Sequence, residues 1–394
     1  MIMKHPLYRS FMMLLTEILG GQDLPFRKRL AHFLLGIFAA KTIVFSNIAD
    51  ELSTLNANST KSESYERALR RTLSDSRLSW NIVYRPLLKK ILSFEELEGE
   101  KKCPVYLLID ETCRKGDFRI LVAAIACQGR AIPIAWEVWR GQEKRKEKGF
   151  YWKRVSKLLK KVRRVLPPNL QVIVIGDRAF GVPPFVDLVL KQGWDWLARL
   201  QKQTCFVRQD SCKQLSEILP SVGFYRAYGE LFKKAGWRKA SLVCKWKRKY
   251  KGAMFLGSSL PLTWDLIALY RKRALIECLF RDWKSSGWQW ESSQVQDFYH
   301  HKRQILMMAI ATLLALCRGQ EQALILLNES SSHRRTRPFE AKKSLFQMGL
   351  QGIRTSLYQS SKPPSQWVLY ISSEQNNWSE ELHHYRAHIE PIKK

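Results

Sequence analysis

Four side chains that can bind a metal ion or a phosphate recur at fixed intervals in residues 270–284. They are Tyr270, Arg273, Glu277 and Lys284. The stretch contains no glycine or proline and is rich in good helix formers, so it predicts a helix. At roughly 100° per residue, the four side chains lie within about 60° of one another. A carboxylate flanked by cations on one helix face suits a metal ion beside a row of phosphates.

Two further carboxylates each follow a short apolar run. Asp110 comes directly after residues 105–109, and Asp177 closes the run of residues 171–176. Both runs have the composition of buried strands, which predicts a carboxylate at the C-terminal end of each strand. Three other carboxylates lie beyond these predicted strand ends and are the fallback metal ligands, should Asp110 or Asp177 not serve. They are Glu111, Asp117 and Asp187.

The order of the predicted elements brings the two carboxylates together. Three strands are followed by a helix, a strand, a helix and a fifth strand. The predicted segments are 105–109, 118–127, 131–138, 150–166, 171–175, 185–191 and 194–200. This is the order of a ribonuclease H-like domain, an α/β fold with a mixed five-stranded sheet and flanking helices, in which the first and fourth strands are neighbours. We therefore expect Asp110 and Asp177 to lie within reach of each other, with Glu277 on the next core helix.

The spacing in residues 270–284 resembles the signature of the insertion-sequence-four family of bacterial DDE transposases. Residues 177–180, Asp-Arg-Ala-Phe, also resemble the family, with Ala179 where glycine is common. The resemblance extends over roughly residues 100–325. It implies that Asp110, Asp177 and Glu277 are catalytic and hold two Mg²⁺ ions, for which Mn²⁺ is expected to substitute. Asp110 is the expected bridging ligand, because its strand is central in the predicted sheet.

The resemblance also implies side chains that contact DNA. The family often stacks a flipped base on a tryptophan just ahead of the catalytic helix, but residues 252–255 contain none, which leaves Trp246 or Phe255 to serve. A packed core of the β-rich segment explains either ring equally well. The side chains expected to contact DNA are Tyr270, Arg273, Lys284, Arg178, Trp246 and Phe255.

The activity implied by the resemblance is cut-and-paste transposition of an insertion sequence. Such an enzyme binds the terminal inverted repeats of its element, cleaves the strands through a hairpin on the end, and joins them to target DNA. A homodimer in a synaptic complex is the expected assembly. The expected location is the bacterial cytoplasm, in association with the nucleoid and without a membrane.

The sequence predicts five consecutive segments. Residues 1–100 form an all-helical DNA-binding domain, and 101–200 the first part of the ribonuclease H-like core. Residues 201–261 form a β-rich insertion, 262–325 the catalytic helix with the helix after it, and 326–394 a basic, partly helical C-terminal region.

The charge of the chain favours a polyanionic partner. The 394 residues contain 66 Lys and Arg against 35 Asp and Glu, a net charge of +31, which indicates nucleic acid. The eight cysteines include no Cys-x-x-Cys pair, so a zinc cluster is not expected and the thiols are expected to be reduced. The apolar run 305–317 is too short to span a bilayer and suits a buried helix.

The sequence leaves other functions open. Each aspartate could cap a turn or pair with a neighbouring arginine, and a basic helix is often only a solvated face. A ribonuclease H-like nuclease or resolvase would use the same carboxylates without strand transfer. A non-catalytic DNA-binding regulator would need the charge but not the carboxylates.

Overall fold

The structure is a computed structural model of the chain. The residues it describes are 2–57, 59–94, 97, 103–114, 118–142, 147, 149–209, 211–233, 236–262, 265–332, 343–359, 363–364 and 366–371. They fall into two compact units. The helical unit is drawn from Met1–Glu96, Cys127–Ile132 and Cys278–Lys394, and the sheet unit from Leu97–Ala126 and Pro133–Glu277.

Twelve strands are present among the described residues. In chain order they are β1 Leu92–Ser93, β2 Val105–Arg114, β3 Phe118–Cys127, β4 Arg130–Arg140, β5 Val172–Gly176, β6 Asp195–Arg199, β7 Cys205–Arg208, β8 Ser211–Gln214, β9 Gly223–Leu231, β10 Arg238–Trp246, β11 Met254–Ser258 and β12 Leu369–Tyr370. β1 and β12 form a small parallel pair in the helical unit, and the other ten strands form one sheet.

The large sheet is mixed and runs in the order β4-β3-β2-β5-β6-β11-β10-β9-β7-β8. β2 pairs in parallel with β5, and β5 in parallel with β6. All five residues of β5 are buried, as expected for a parallel strand covered on both faces. The prediction that the first and fourth core strands, β2 and β5, are neighbours is therefore confirmed. This mixed α/β architecture fits a ribonuclease H-like fold.

The sheet differs from the predicted five-stranded one. The segment predicted as a separate β-rich insertion, 201–261, contributes strands that continue the same sheet. β11 pairs antiparallel with β6, joining Leu256 to Arg199 and Ser258 to Leu197. Without β11, β6 would be an open edge with unpaired backbone groups, so this pairing satisfies them. The periodicity of the insertion predicts its strands but does not identify their partners.

The helices of the sheet unit flank this core. They are Phe150–Arg163, Pro183–Leu190, Leu215–Ile218 and Leu266–Arg271. A further helix, Ala274–Arg281, begins in the sheet unit and ends in the helical unit. Leu158, Leu159 and Val162 are fully buried on Phe150–Arg163, whose other face carries lysines and arginines.

The helical unit contains the remaining helices. They are Pro6–Ile18, Leu24–Ala40, Phe45–Leu55, Ser62–Ser74, Arg85–Ile91, Phe298–Ser332 and Leu345–Tyr358. Thr312, inside the long helix Phe298–Ser332, accepts hydrogen bonds from the indoles of Trp283 and Trp288 at 3.0 and 2.8 Å. These bonds satisfy polar groups in an otherwise apolar core.

The long helix is also the strongest membrane-span candidate within the described ranges. Its part Phe298–Leu326 is long and apolar enough to cross a bilayer, and 67% of its most apolar window is buried inside the protein. The helices Leu24–Ala40 and Phe45–Leu55 pass the same test only as a pair, with a bend of 98° between them. A buried core helix has this composition as well, so these findings are weak support for a span.

Candidate active site

Asp110 and Asp177 lie side by side at the end of the parallel pair β2 and β5. The register of this pair runs from Val105–Val172 to Ile109–Gly176, and each aspartate is the next residue along its strand. Neighbouring parallel strands are about 4.8 Å apart, so the two carboxylates leave the same end of adjacent strands. The sequence prediction that they come together is thus supported by the register.

β2 continues past Asp110, which corrects one predicted boundary. The strand was expected to end at Ile109, but it extends to Arg114. Its antiparallel ladder with β3 carries it on, pairing Asp110 with Val122 and Arg114 with Phe118. Asp110 is therefore still paired with β3, whereas the pairing of β2 with β5 ends at the residue before it.

The predicted continuous helix over 270–284 is also corrected. The chain forms a helix to Arg271, a turn at Lys272 and Arg273, and a second helix from Ala274 to Arg281. A π-helical turn follows over Asp282–Ser286. At the turn, the amide of Arg273 bonds the carbonyl of Tyr270, and the next helix starts with equally short-range bonds.

Tertiary contacts explain this break in a stretch with high helix propensity. The Lys272 ammonium lies 4.6 Å from the ring centroid of Tyr106 on β2. The Arg273 guanidinium donates from Nη1 to Oδ2 of Asp110 at 2.9 Å and from Nη2 to Oε1 of Glu277. The turn therefore connects the catalytic candidate on β2 with the candidate on the helix.

Glu277 is presented from a helix whose opposite side is buried. Leu275, Ile276 and Leu279 are at most 4% exposed. The Glu277 side chain remains 53% exposed, against 17% for Asp110. This carboxylate can therefore reach a ligand that approaches from solvent.

The pKa of Asp110 depends on its burial, on Arg273 and on the other two carboxylates. Burial raises the pKa of Asp110 to about 6, against the lowering effect of the Arg273 guanidinium. The negative charges of Asp177 and Glu277 raise the same pKa further. Coulombic influence falls with distance, and Arg273 contacts both Asp110 and Glu277, so we describe Asp110, Asp177 and Glu277 as one electrostatic cluster around Arg273.

The loop that carries Asp177 is fixed by local bonds. The amide of Ala179 donates to Oδ1 of Asp177 at 2.8 Å, and the amide of Phe180 donates to its carbonyl. Gly181 follows, where a Cβ atom would lie 2.1 Å from the carbonyl oxygen of Arg199 on β6. Only glycine allows the loop to approach β6 this closely.

Sequence reasoning missed two side chains beside the cluster, Arg119 and Tyr151, both of which contact the fallback ligand Glu111. Glu111 receives a salt bridge of 2.7 Å from Arg119 on β3 and a hydrogen bond from the hydroxyl of Tyr151. Burial, and then the charges of Glu111, Asp177 and Asp110, raise the pKa of Tyr151. The antiparallel pairing of β2 and β3 could have indicated Arg119, but nothing in the sequence marks Tyr151.

The predicted phosphate contacts have mixed surroundings. Tyr270 is half-buried, its hydroxyl accepts a bond from Arg273, and burial raises its pKa. Arg178 is exposed beside Asp177. Lys284 belongs to the helical unit, where its Nζ lies 3.7 Å from Oε1 of Glu291. Arg273, predicted to contact phosphates, bonds carboxylates in this structure.

The two aromatic candidates for base stacking differ in exposure. Phe255 on β11 is only 5% exposed, so its ring packs within the protein and the prediction that it stacks a base does not fit this structure. Trp246 is half-buried, and its indole donates to the carbonyl of Tyr250 at 3.0 Å. Phe224 and Tyr228 on β9 are more than half exposed and two strand positions either side of Arg226.

The fallback ligands have other partners or lie outside the description. Glu111 accepts bonds from Arg119 and Tyr151. Asp187 accepts a bidentate bond from Arg238, with Nε 2.8 Å from Oδ1 and Nη2 3.0 Å from Oδ2. Asp117 lies outside the described residues.

The donor chemistry of the cluster fits a hard divalent cation. Its three carboxylates offer only oxygen ligands, and two of them already share a positive charge, that of Arg273. In the described ranges, however, no group of three His, Cys, Asp or Glu side chains is arranged tightly enough to hold a metal ion. The side chains would therefore have to rearrange around such an ion.

Comparison with known families gives one finding. Residues 132–314 match the family model described as the transposase DDE domain. This match supports a DDE transposase. It includes Asp177 and Glu277 but begins after Asp110, whose place in the cluster therefore depends on the β2–β5 register. The match covers a little under half of the chain. No curated protein matches the sequence.

Proposed function

We propose that this protein is a DNA transposase of the insertion-sequence-four type, which cleaves the ends of its element and joins them to target DNA. The observation that carries the proposal is the cluster of Asp110, Asp177 and Glu277 around Arg273, in a chain that matches a transposase DDE domain. The net charge of +31 supports DNA as the partner.

Asp110, Asp177 and Glu277 would hold the divalent ions, Mg²⁺ or Mn²⁺. When bound, such ions activate a nucleophile and neutralise charge on a phosphate. The chain's own contribution is positional. Asp110 and Asp177 are set by the strand register, and Glu277 by its buried helix face.

The cationic and aromatic residues have separate proposed roles. Arg178, Tyr270 and Lys284 would contact phosphates of the element's end, and Arg273 would orient Asp110 and Glu277. Trp246 would stack a flipped base. The specific DNA partner would be the terminal inverted repeats of the element. The protein would act as a homodimer, in the cytoplasm and in association with the nucleoid. Excision through hairpin ends completes the proposal.

The deciding experiment compares Glu277→Gln with the wild type on duplexes that carry the element's terminal repeats. We expect the variant to bind these repeats normally and to release no cleaved ends in Mg²⁺. Full cleavage by Glu277→Gln would end the proposal. Glu217→Gln is the matched control, because Glu217 is an exposed carboxylate of the sheet unit whose capping bond a glutamine can keep.

A joining assay separates transposition from simple hydrolysis. In the presence of target DNA, a transposase attaches the 3′-hydroxyl of its cleaved end to the target. A protein that nicks DNA but never forms this joint would be a ribonuclease H-like nuclease or resolvase. A protein that binds DNA and neither nicks nor responds to Mg²⁺ would be a regulator.

A further inference from the structure

A cationic groove lies in the helical unit, along the helix Leu345–Tyr358. It has a volume of about 510 Å³ and is open to solvent. Its lining residues are Lys41, Lys343, Gln347, Leu350, Gln351, Arg354, Thr355, Tyr358 and Gln359. All but Leu350 are polar, three are cations, and none is a carboxylate. We refer to this feature as the 354 groove.

The polar lining follows one face of the helix. Gln347, Gln351, Arg354 and Tyr358 are spaced by four, three and four residues, which places them on one side of an α-helix. From Gln347 to Tyr358 this face is about 16 Å long. That length can follow several consecutive phosphates of one DNA strand, which are only a few ångströms apart along the helix axis.

Arg354 removes the main electrostatic obstacle to an anion here. The helix Leu24–Ala40 ends at Lys41, and its last carbonyls would present partial negative charge to the groove. The guanidinium of Arg354 donates from Nη1 to the carbonyls of Phe38 and Ala39. These bonds satisfy the carbonyls and leave other N–H groups of Arg354 as donors.

The two lysines provide the exposed charge. Lys41 and Lys343 are exposed, and Lys343 donates to Oε1 of Gln351 at 2.5 Å. At one end of the groove, Glu51 accepts a bond of 2.9 Å from the Tyr358 hydroxyl. The central part of the groove therefore combines cations with amide and hydroxyl donors, the groups that contact phosphate oxygens.

We infer that the 354 groove binds the phosphodiester backbone of duplex DNA, independently of base sequence. This inference rests on the proposed function for its choice of partner, and it assigns DNA contact to the helix Leu345–Tyr358. Lys41 and Lys343 contribute mobile point charges, while Gln347, Gln351 and Thr355 donate hydrogen bonds to phosphate oxygens.

The test measures binding of the full chain to a random-sequence duplex over a range of salt concentrations. Arg354 is left intact because it holds helix carbonyls. We expect Lys41→Gln with Lys343→Gln to lower the steepness of log affinity against log salt by about 2, and to weaken binding about tenfold near 0.1 M salt. The matched control is Lys160→Gln with Lys191→Gln, which removes the same charge from exposed positions outside the predicted DNA-binding segment 1–100.

Three outcomes overturn the inference. They are a variant with the salt response of the wild type, a control that loses as much as the variant, and a wild-type chain that does not bind duplex DNA. Cleavage of element ends is scored separately in the same proteins. If the groove variant binds normally while Glu277→Gln abolishes cleavage, the inference fails and the proposed function stands. If only the groove variant loses binding and none of the proteins cleaves element ends, the inference about the groove stands and the proposed transposase function fails.

Discussion

Nη1 of Arg273 lies 2.9 Å from Oδ2 of Asp110, across 163 residues of sequence. The same guanidinium bonds Glu277 four residues further along the chain. A single cation thus ties the strand carboxylate to the helix carboxylate before any metal ion or DNA is bound. Arginine suits this role because its planar group can serve two acceptors at once.

The first prediction concerns this double contact. Arg273→Gln removes two charge-assisted bonds, so we expect strand cleavage to fall about ten- to hundredfold. Arg273→Lys should fall less, because an ammonium keeps the charge but not the fork geometry. The measurement is the single-turnover nicking rate. Arg271→Gln, which removes an exposed arginine two residues away, should remain close to wild type. Equal rates for all three variants would contradict a role for Arg273.

The second prediction separates the metal site from catalysis. Mn²⁺ at about ten times its dissociation constant should stabilise the folded state by about 1.4 kcal/mol and raise Tm by about 1–3 °C. Asp177→Asn should abolish this rise in a thermal scan, without reference to activity. Asp187→Asn should keep it, because Asp187 is paired with Arg238. A Tm that rises equally in both variants would remove Asp177 from the ligand set.

The third prediction tests the packing that positions Asp177. Gly181→Ala would place a methyl group 2.1 Å from the carbonyl oxygen of Arg199, so the loop or β6 must move. We expect a loss of about 2–3 kcal/mol in the free energy of unfolding by urea. Gly252→Ala is the control, since a Cβ atom there meets nothing within 4 Å. Equal stability of the two variants would mean that the close approach has no energetic role.

Local patterns predicted the strands of this site well. The apolar runs before Asp110 and Asp177 became β2 and β5, and their order along the chain was enough to make them neighbours. Burial of a strand on both faces leaves a continuous apolar signal in sequence, so such elements are readable.

Long-range contacts could not be predicted from the sequence in the same way. The break at Lys272 and Arg273 is imposed by Tyr106 and Asp110, which are more than 160 residues away in sequence, against a strong local helix propensity. Tyr151 reaches Glu111 from a separate helix, and no spacing rule connects them. The continuation of the sheet through β11 depended on strand pairing, which alternation does not encode.

The fourth prediction is an acid-sensitive ion pair in the helical unit. Hydrogen bonds from Arg77 and Arg29 hold the pKa of Asp75 at about 2, below its ordinary 3.8. A lowered acid pKa adds stability above about pH 4, and this contribution is lost as the pH falls from about 4 to about 2. Because the group is partly solvated, we expect about 1–2 kcal/mol.

The measurement for Asp75 is a difference profile. Asp75→Asn should be less stable than wild type at pH 7, and the gap should close towards pH 2. Glu66→Gln, which breaks an exposed pair with Arg70, should change stability by about 0.5 kcal/mol or less. A gap for Asp75→Asn that stays constant with pH would show that ionisation of this carboxyl is not the cause.

The fifth prediction asks which ring stacks a base. Phe224 and Tyr228 are exposed on β9 on either side of Arg226, whereas Trp246 is anchored to the Tyr250 carbonyl. Base stacking on a ring is worth about 1–3 kcal/mol. If Trp246 is the ring, Trp246→Ala should weaken binding to hairpin-ended DNA about tenfold and leave plain duplex binding unchanged. The double variant Phe224→Ala with Tyr228→Ala should then bind like wild type.

The opposite pattern would move the stacking site to β9, where two exposed rings flank a guanidinium. Tyr250→Ala is the control for both variants, because it removes an exposed ring while keeping the carbonyl that anchors Trp246. Fluorescence anisotropy with matched hairpin and blunt duplexes gives the comparison directly. Stacking acts on an unpaired base, so only the hairpin-ended substrate should respond. An equal loss on both substrates would indicate a backbone contact instead.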